Sequence, residues 1–363
     1  MIEGADGLDG VVAARTVLSE VDGEAGRLLI RGRTLDDLAG SWPFEAVAGL
    51  LWGGFFPDLP ERLDQPLGMA RQAVFAQVAA DPDLAKRPPV EAVRALMARL
   101  PDGDDLSLAL RLTAAPAVFT SAVIRLQAGA HPVAPDPALS HAADVLRMAR
   151  GAAAEPAEIA ALDAYLVTVA DHGLNASTFA ARVVASTQAG LTSAVLAGLS
   201  ALKGPLHGGA PGPVIDMLDA IGAPDLARPW LERALDRGDR LMGFGHRIYR
   251  VRDPRADALK RAVGDLAGRS GSSSGRLALA EAVEAAALAV LGERKPGRSL
   301  QTNVELYTAL LLEALGFPPE AFTCVFAMGR VAGWIAHARE QSAGGRLLRP
   351  QSRYVGPRPL EPA

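Results

Sequence analysis

Apolar residues recur every three to four positions through most of this chain, and that spacing confines it to a helical architecture. The stretches "LDDLAGSWPFEAVAGLLWGG" (35–54), "HAADVLRMARGA" (141–152), "LDAYLVTVADHG" (162–173) and "RLALAEAVEAAALAVLGER" (276–294) all carry it. Each predicts a helix with an apolar stripe turned towards a core. Alanine and leucine, both strong helix formers, supply much of that stripe. Alternation of β-branched residues is scarce. One hairpin is predicted in "RTVLSEVDGEAGRLLIRGR" (15–33), where Asp22-Gly23 and Gly26 supply turn chemistry between short apolar runs. The predicted class is all-α with a small N-terminal β-hairpin.

A chain of 363 residues can bury a large core and is long enough for two domains. Its net charge of -4 gives no reason to expect nucleic acid or an anionic membrane as a general partner. Any anion site must therefore be a local concentration of arginine. The single cysteine, Cys324, lies in the apolar "FTCVFAMG" with no histidine nearby in sequence, which predicts a buried core thiol. The start of the chain lacks a basic-then-apolar signal pattern, and no uninterrupted apolar stretch approaches the ~20 residues that cross a bilayer. A cytoplasmic location is expected. Turn-forming clusters fall at 101–105, 130–137 and 203–213, and the Ser/Gly run at 268–276 reads as a flexible surface loop. The closing "RLLRPQSRYVGPRPLEPA" (346–363) has no helical period, and its arginines suggest a tail laid across another surface.

Three of the six histidines touch glycine: His172 in "ADHGLNAST", His207 in "KGPLHGGAPG" and His246 in "GFGHR". Glycine lets a backbone approach a ligand closely and holds an imidazole at a loop or helix end. His131, His141 and His337 lack the pattern and are assigned structural roles. The three glycine-flanked histidines offer no close ligand pair and no His-Glu-x-x-His, so a zinc site is disfavoured. With no Gly-x-Ser-x-Gly elbow, a serine hydrolase is disfavoured as well.

Arginines cluster around the last of these histidines. Arg247, Arg250, Arg252 and Arg255 follow His246, Arg330 sits in "AMGRVAGW", and Arg346, Arg349 and Arg353 crowd the tail. The planar guanidinium fork suits bidentate capture of carboxylates and phosphates. Histidines and arginines without a metal suggest a carbon acid made acidic beside a clamped anion. A carboxylate base is then required, and Glu305 at the start of the predicted helix in "QTNVELYTALLLEALG" is the candidate. Helix-terminal electrostatics alone would also favour an acid there.

The segments "DHGLNASTFAARVVAST", "ALKGPLHGGAP", "LMGFGHRIYRVRDPRA", "TNVELYTALLLEALG" and "RLLRPQSRYVGP", in this order, resemble citrate synthase and its relative 2-methylcitrate synthase. The likeness covers nearly the whole chain. It implies an almost entirely helical homodimer whose large domain (1–204 and 313–363) is closed over the substrates by a small one (205–312). It also implies a Claisen-type condensation of acetyl-CoA with oxaloacetate, followed by thioester hydrolysis, with acetyl-CoA as co-substrate and no permanently bound cofactor.

By the same resemblance, His207 donates to the thioester oxygen, His246 polarises the ketone and Glu305 removes the methyl proton. His172, Arg255 and Arg330 hold the oxo-acid, Arg349 reaches in from the second subunit, and Arg250 contacts coenzyme A phosphates. Two positions depart from the family pattern: Glu305 stands where aspartate is usual, and Gly173 where a glutamate commonly follows the histidine. Together they predict a cleft reshaped around the longer acid. Two further readings stay open at this level, a 2-methylcitrate synthase using propionyl-CoA and a catalytically silent relative acting as a binding or regulatory dimer.

Overall fold

The computed structural model describes residues 8, 10–78, 83–207, 211–246, 248–270 and 274–357. Among these are fifteen α-helices and one three-stranded sheet, so the all-α class with an N-terminal hairpin holds. The sheet comprises β1 (Ser19–Asp22), β2 (Arg27–Ile30) and a short third strand, β3 (Arg33–Thr34), all antiparallel. Ser19 pairs with Ile30 and Asp22 with Arg27. The hairpin turn closes because Asp22 Oδ1 accepts from the Glu24 and Ala25 N–H groups at 3.1 and 2.9 Å, while Gly26 takes φ +63°.

Most of the predicted helices form where the periodicity places them, at His141–Arg150, Pro156–Val169 and Ser274–Arg294. Two expectations need correction. The stretch 35–54 forms two helices, Leu35–Leu38 and Phe44–Trp52, because Gly40 turns the chain at φ +81° and Pro43 cannot donate to a continuing helix. The Ser/Gly run is largely helical: Pro254–Ser270 reaches into it and Ser274–Arg294 starts in it, leaving only 271–273 outside the described residues. Buried Leu266, Ala267, Leu279 and Ala280 anchor both helices, so packing overrides the weak propensity of glycine and serine.

At the centre lies the helix Phe322–Gly344, buried along most of its length. Around it pack Leu106–Gln127, Pro156–Val169, Ala176–Ala185, Leu191–Leu202 and Phe44–Trp52. By length and composition Leu106–Gln127 and Pro319–Gly344 could each cross a membrane, which the uninterrupted-stretch reading missed, but 83% and 94% of their apolar windows are buried inside the protein. Cys324 is buried there, and burial pushes its thiol up to about 12.

Small residues set how closely the central helix meets its neighbours. A Cβ on Gly329 would lie 2.6 Å from the Leu166 carbonyl oxygen, and one on Gly333 would overlap that of Ala170. Gly198 faces the Trp334 ring at 2.8 Å in the same sense. This close approach brings Arg330 against the end of Pro156–Val169, where the chain turns to His172.

Candidate active site

Each glycine-flanked histidine is delivered by a different turn. After Val169 the chain passes through Gly173 at φ +58° into the helix Ala176–Ala185. Asn175 caps that helix, accepting from the Ser177 and Thr178 N–H groups at 3.1 Å each. His172 is buried in this turn, with Nε2 3.1 Å from the Tyr249 hydroxyl. Its neighbour Asp171 accepts from the Ser19 hydroxyl and lies 3.1 Å from His337 Nε2.

His207 follows the helix Leu191–Leu202, its N–H donating to the Gly204 carbonyl at 2.9 Å. Its Nε2 lies 2.9 Å from the Ser177 hydroxyl and accepts from the Ser177 N–H at 3.4 Å. A nitrogen that accepts from a backbone N–H carries no proton, so the network assigns the proton to Nδ1. The Trp334 indole N–H holds Ser177 Oγ at 3.2 Å.

The third turn also explains the glycines around His246. Gly243 and Gly245 adopt φ +85° and +84° and run alongside 301–303. Gly245 N–H donates to the Gln301 carbonyl (2.7 Å), Asn303 N–H to that of Gly243 (3.0 Å), and Asn303 Nδ2 to that of Gly245 (2.9 Å). Asn303 then caps the helix Val304–Ala314 by accepting from the Glu305 N–H at 2.9 Å. One short ladder thus fixes His246 and Glu305 relative to each other. A Cβ on Gly243 would stand 3.1 Å from Leu306 Cβ, so the ladder needs glycine for space as well as for conformation.

His246 Nδ1 accepts from the Ile248 and Tyr249 N–H groups at 3.0 and 3.1 Å, which places the ring proton on Nε2. That Nε2 lies 3.3 Å from Arg255 Nη2. Two donors face each other, a geometry that suits an acceptor oxygen shared between them. Arg255 is buried and gripped by Asp253 through Nε at 3.0 Å and Nη2 at 2.7 Å. Arg330 is buried too; its Nε donates to the Val169 carbonyl at 2.6 Å, and its buried Nη2 meets no acceptor among the described residues.

The electrostatics follow from burial among these cations. Desolvation first, then the charges of Arg330 and Arg255, holds His207 down at about 4. Burial and Arg255 place His246 likewise at about 4, and His172 lies well below the usual histidine range for the same reasons. All three imidazoles are neutral near pH 7. Burial pushes the Glu305 carboxyl up despite the nearby charges of Arg240 and Arg255, and its Oε2 is buried without a donor among the described residues. Burial also lowers Arg330 to about 10, leaving it a cation at neutral pH.

His172, His207, His246, Arg255, Arg330 and Glu305 are therefore brought together. Arg250 is exposed beside them, joined through its backbone N–H to the Gly23 carbonyl at 2.8 Å. Arg252 pairs with Asp257 and Glu284 instead of joining the cluster. Arg247 and the glycines after His207 lie outside the described residues. Arg349 is exposed on the tail, where the neighbouring Leu348 N–H donates to Ser186 Oγ at 3.0 Å. The room beside Gly173 is taken by Val21, whose Cγ2 would meet an added Cβ at 3.2 Å, and no Glu305 atom lies within 4 Å of that position. Sequence reasoning passed over Ser177, Tyr249, Asp253, Asn303 and Trp334. All five stood inside the quoted stretches, and their polar groups were the available signal.

Among the described residues no group of three His, Cys, Asp or Glu side chains is placed to hold a metal ion. Fold and site together define a mainly helical enzyme whose buried arginines and neutral histidines suit a multiply charged acid beside a desolvated carboxyl group. Residues 7–351 match the sequence profile of the citrate synthase C-terminal domain. The chain is 40% identical over 365 residues to "Putative citrate synthase 2" of Mycobacterium tuberculosis, covering 98% of this chain and 94% of that one. It is 36% identical to the 2-methylcitrate synthase of the same species, covering 96% and 90%. A solved citrate synthase from Thermoplasma acidophilum, in ternary complex with carboxymethyl coenzyme A and oxaloacetate, superposes with a TM-score of 0.86 at 28% identity, covering 99% of this chain and 98% of that one. The chain belongs to the citrate synthase family.

Proposed function

We propose that this enzyme joins acetyl-CoA to oxaloacetate and hydrolyses the resulting thioester, releasing citrate and coenzyme A. The observation that carries the reading is complementary: among the described residues buried Arg330 Nη2 is a donor with no acceptor and buried Glu305 Oε2 an acceptor with no donor, while His246 Nε2–H and Arg255 Nη2 face each other as donors. Donors of that kind suit the carboxylates and ketone of oxaloacetate, held by His172, Arg255 and Arg330. Glu305 takes a proton from the acyl methyl group, and the electron pair moves onto the thioester oxygen, where His207 Nδ1–H donates. The new carbon nucleophile attacks the ketone carbon, and His246 Nε2–H meets the oxygen as charge develops. Water then cleaves the thioester.

A thioester α-proton is very weakly acidic, so preorganised donors at the developing oxyanion carry much of the rate. Removing one such donor costs about 10²–10³-fold. The proposal includes the division of the chain into 205–312 and the remainder, Arg250 on coenzyme A phosphates, and a homodimer in which Arg349 serves the partner. The test is release of free coenzyme A by the purified protein. Oxaloacetate-dependent release from acetyl-CoA, faster than from propionyl-CoA, is expected. Faster turnover of propionyl-CoA would replace the reading with 2-methylcitrate synthesis, and oxaloacetate binding without turnover of either thioester would leave a binding protein.

A further inference from the structure

The N-terminal hairpin touches both loops that carry the paired histidines. At one end, on β1, the Ser19 hydroxyl donates to Asp171 and accepts from the Gly173 N–H at 3.0 Å, while Val21 fills the space beside Gly173. At the other end the turn lies on the segment after His246. The Gly23 carbonyl accepts from the Arg250 N–H at 2.8 Å. A Cβ on Gly23 would overlap the Ile248 carbonyl oxygen and lie 2.7 Å from its carbon, and a Cβ on Gly26 would lie 2.7 Å from Val251 Cγ2. Gly23, unlike Gly26, is not among the positive-φ glycines, so contact alone, and not backbone conformation, requires glycine there. Ile248 in turn donates its N–H to His246 Nδ1 at 3.0 Å.

From this juxtaposition we propose that the hairpin is a brace that sets the spacing of His172 and His246, acting at Ser19 on one and at Gly23 on the other. The two rings stand 5.6 Å apart, edge to face, with Tyr249 between the loops as a third ring. Both histidines serve the same oxo-acid, so an error in either position is felt in its binding and in the reaction. Ser19 and Gly23 are positioning residues that touch no reacting atom. The inference rests on the condensing activity proposed above.

Gly23→Ala tests the turn end, because the backbone tolerates alanine and only the Ile248 contact is disturbed. A displacement of His246 by about an ångström is expected to lower kcat on the order of 100-fold. Hydrogen exchange over 246–253 should rise, while the melting temperature stays within a few degrees of the parent. Ser19→Ala removes only a hydroxyl and tests the other end, with KM for oxaloacetate expected to rise more than kcat falls. Should Gly23→Ala fail to fold, Ser19→Ala decides alone. Parental kcat and KM in the folded variants, or unchanged exchange over 246–253 in Gly23→Ala, would overturn the brace. A parent that shows no condensation at all would instead overturn the proposed activity, and the exchange measurement would still report on the brace.

Discussion

Glu305 holds a desolvated carboxyl on the first turn of its helix, and its raised pKa fixes how the rate should depend on pH. Desolvation raises it above the ordinary 4.5, while Arg240, Arg255, the Asn303 side chain and the Gly243 N–H act in the opposite sense and are outweighed. Only the ionised form accepts a proton, so kcat/KM should fall as pH drops through the Glu305 pKa. The acid limb is therefore expected to have its midpoint above 4.5. His207 and His246, held at about 4, are still neutral there and do not set the limb. Glu305→Gln should abolish deuterium exchange into the acyl methyl while oxaloacetate still binds. Exchange at the parental rate, or an acid limb with its midpoint below 4.5, would remove Glu305 as the base. The identity of this residue was legible in "TNVE". Its environment was not, because burial and an unpartnered oxygen arise only when 243–245 and 301–303 pair.

At the scale of elements, legibility followed locality. The amphipathic helices and the Asp22-Gly23 hairpin are local patterns, and most form where the spacing places them, 35–54 being broken at Gly40 and Pro43. The Ser/Gly run misled because its propensity is local, whereas the buried residues that hold Pro254–Ser270 and Ser274–Arg294 bind it to distant partners. Glycine beside histidine was a sound pointer, but for different reasons at each site. Gly243 and Gly245 permit left-handed backbone in a ladder, Gly173 turns the chain beside Val21, and the residues after His207 lie outside the described part. The partner that fixes each imidazole tautomer came from elsewhere in the chain for His207, through Ser177, and from the adjacent backbone for His246. Only the second could have been guessed from neighbours in sequence.

For the whole molecule, the site draws on both parts of the proposed division. His207, His246, Arg255 and Glu305 fall within 205–312, whereas His172 and Arg330 fall outside it. An oxo-acid gripped from both sides should draw the parts together and complete the acyl-CoA site. A smaller radius of gyration by small-angle scattering at saturating oxaloacetate is expected, and an unchanged profile would count against the division. The tail argues for a second copy of the chain. Leu347, Tyr354 and Val355 are 57%, 67% and 89% exposed there, and large apolar residues so placed are suited to cover by a partner. If Arg349 completes the partner's site, Arg349→Ala and His246→Ala proteins should each be inactive alone. Mixed dimers should recover activity, because one of their two sites combines an intact His246 with an intact Arg349. Random exchange makes half the dimers mixed, so about a quarter of the parental activity per total protein is expected. Native mass spectrometry would verify the mixing. Mixed dimers with no recovered activity would show that Arg349 serves its own chain, and an Arg349→Ala protein fully active alone would show that it serves no site.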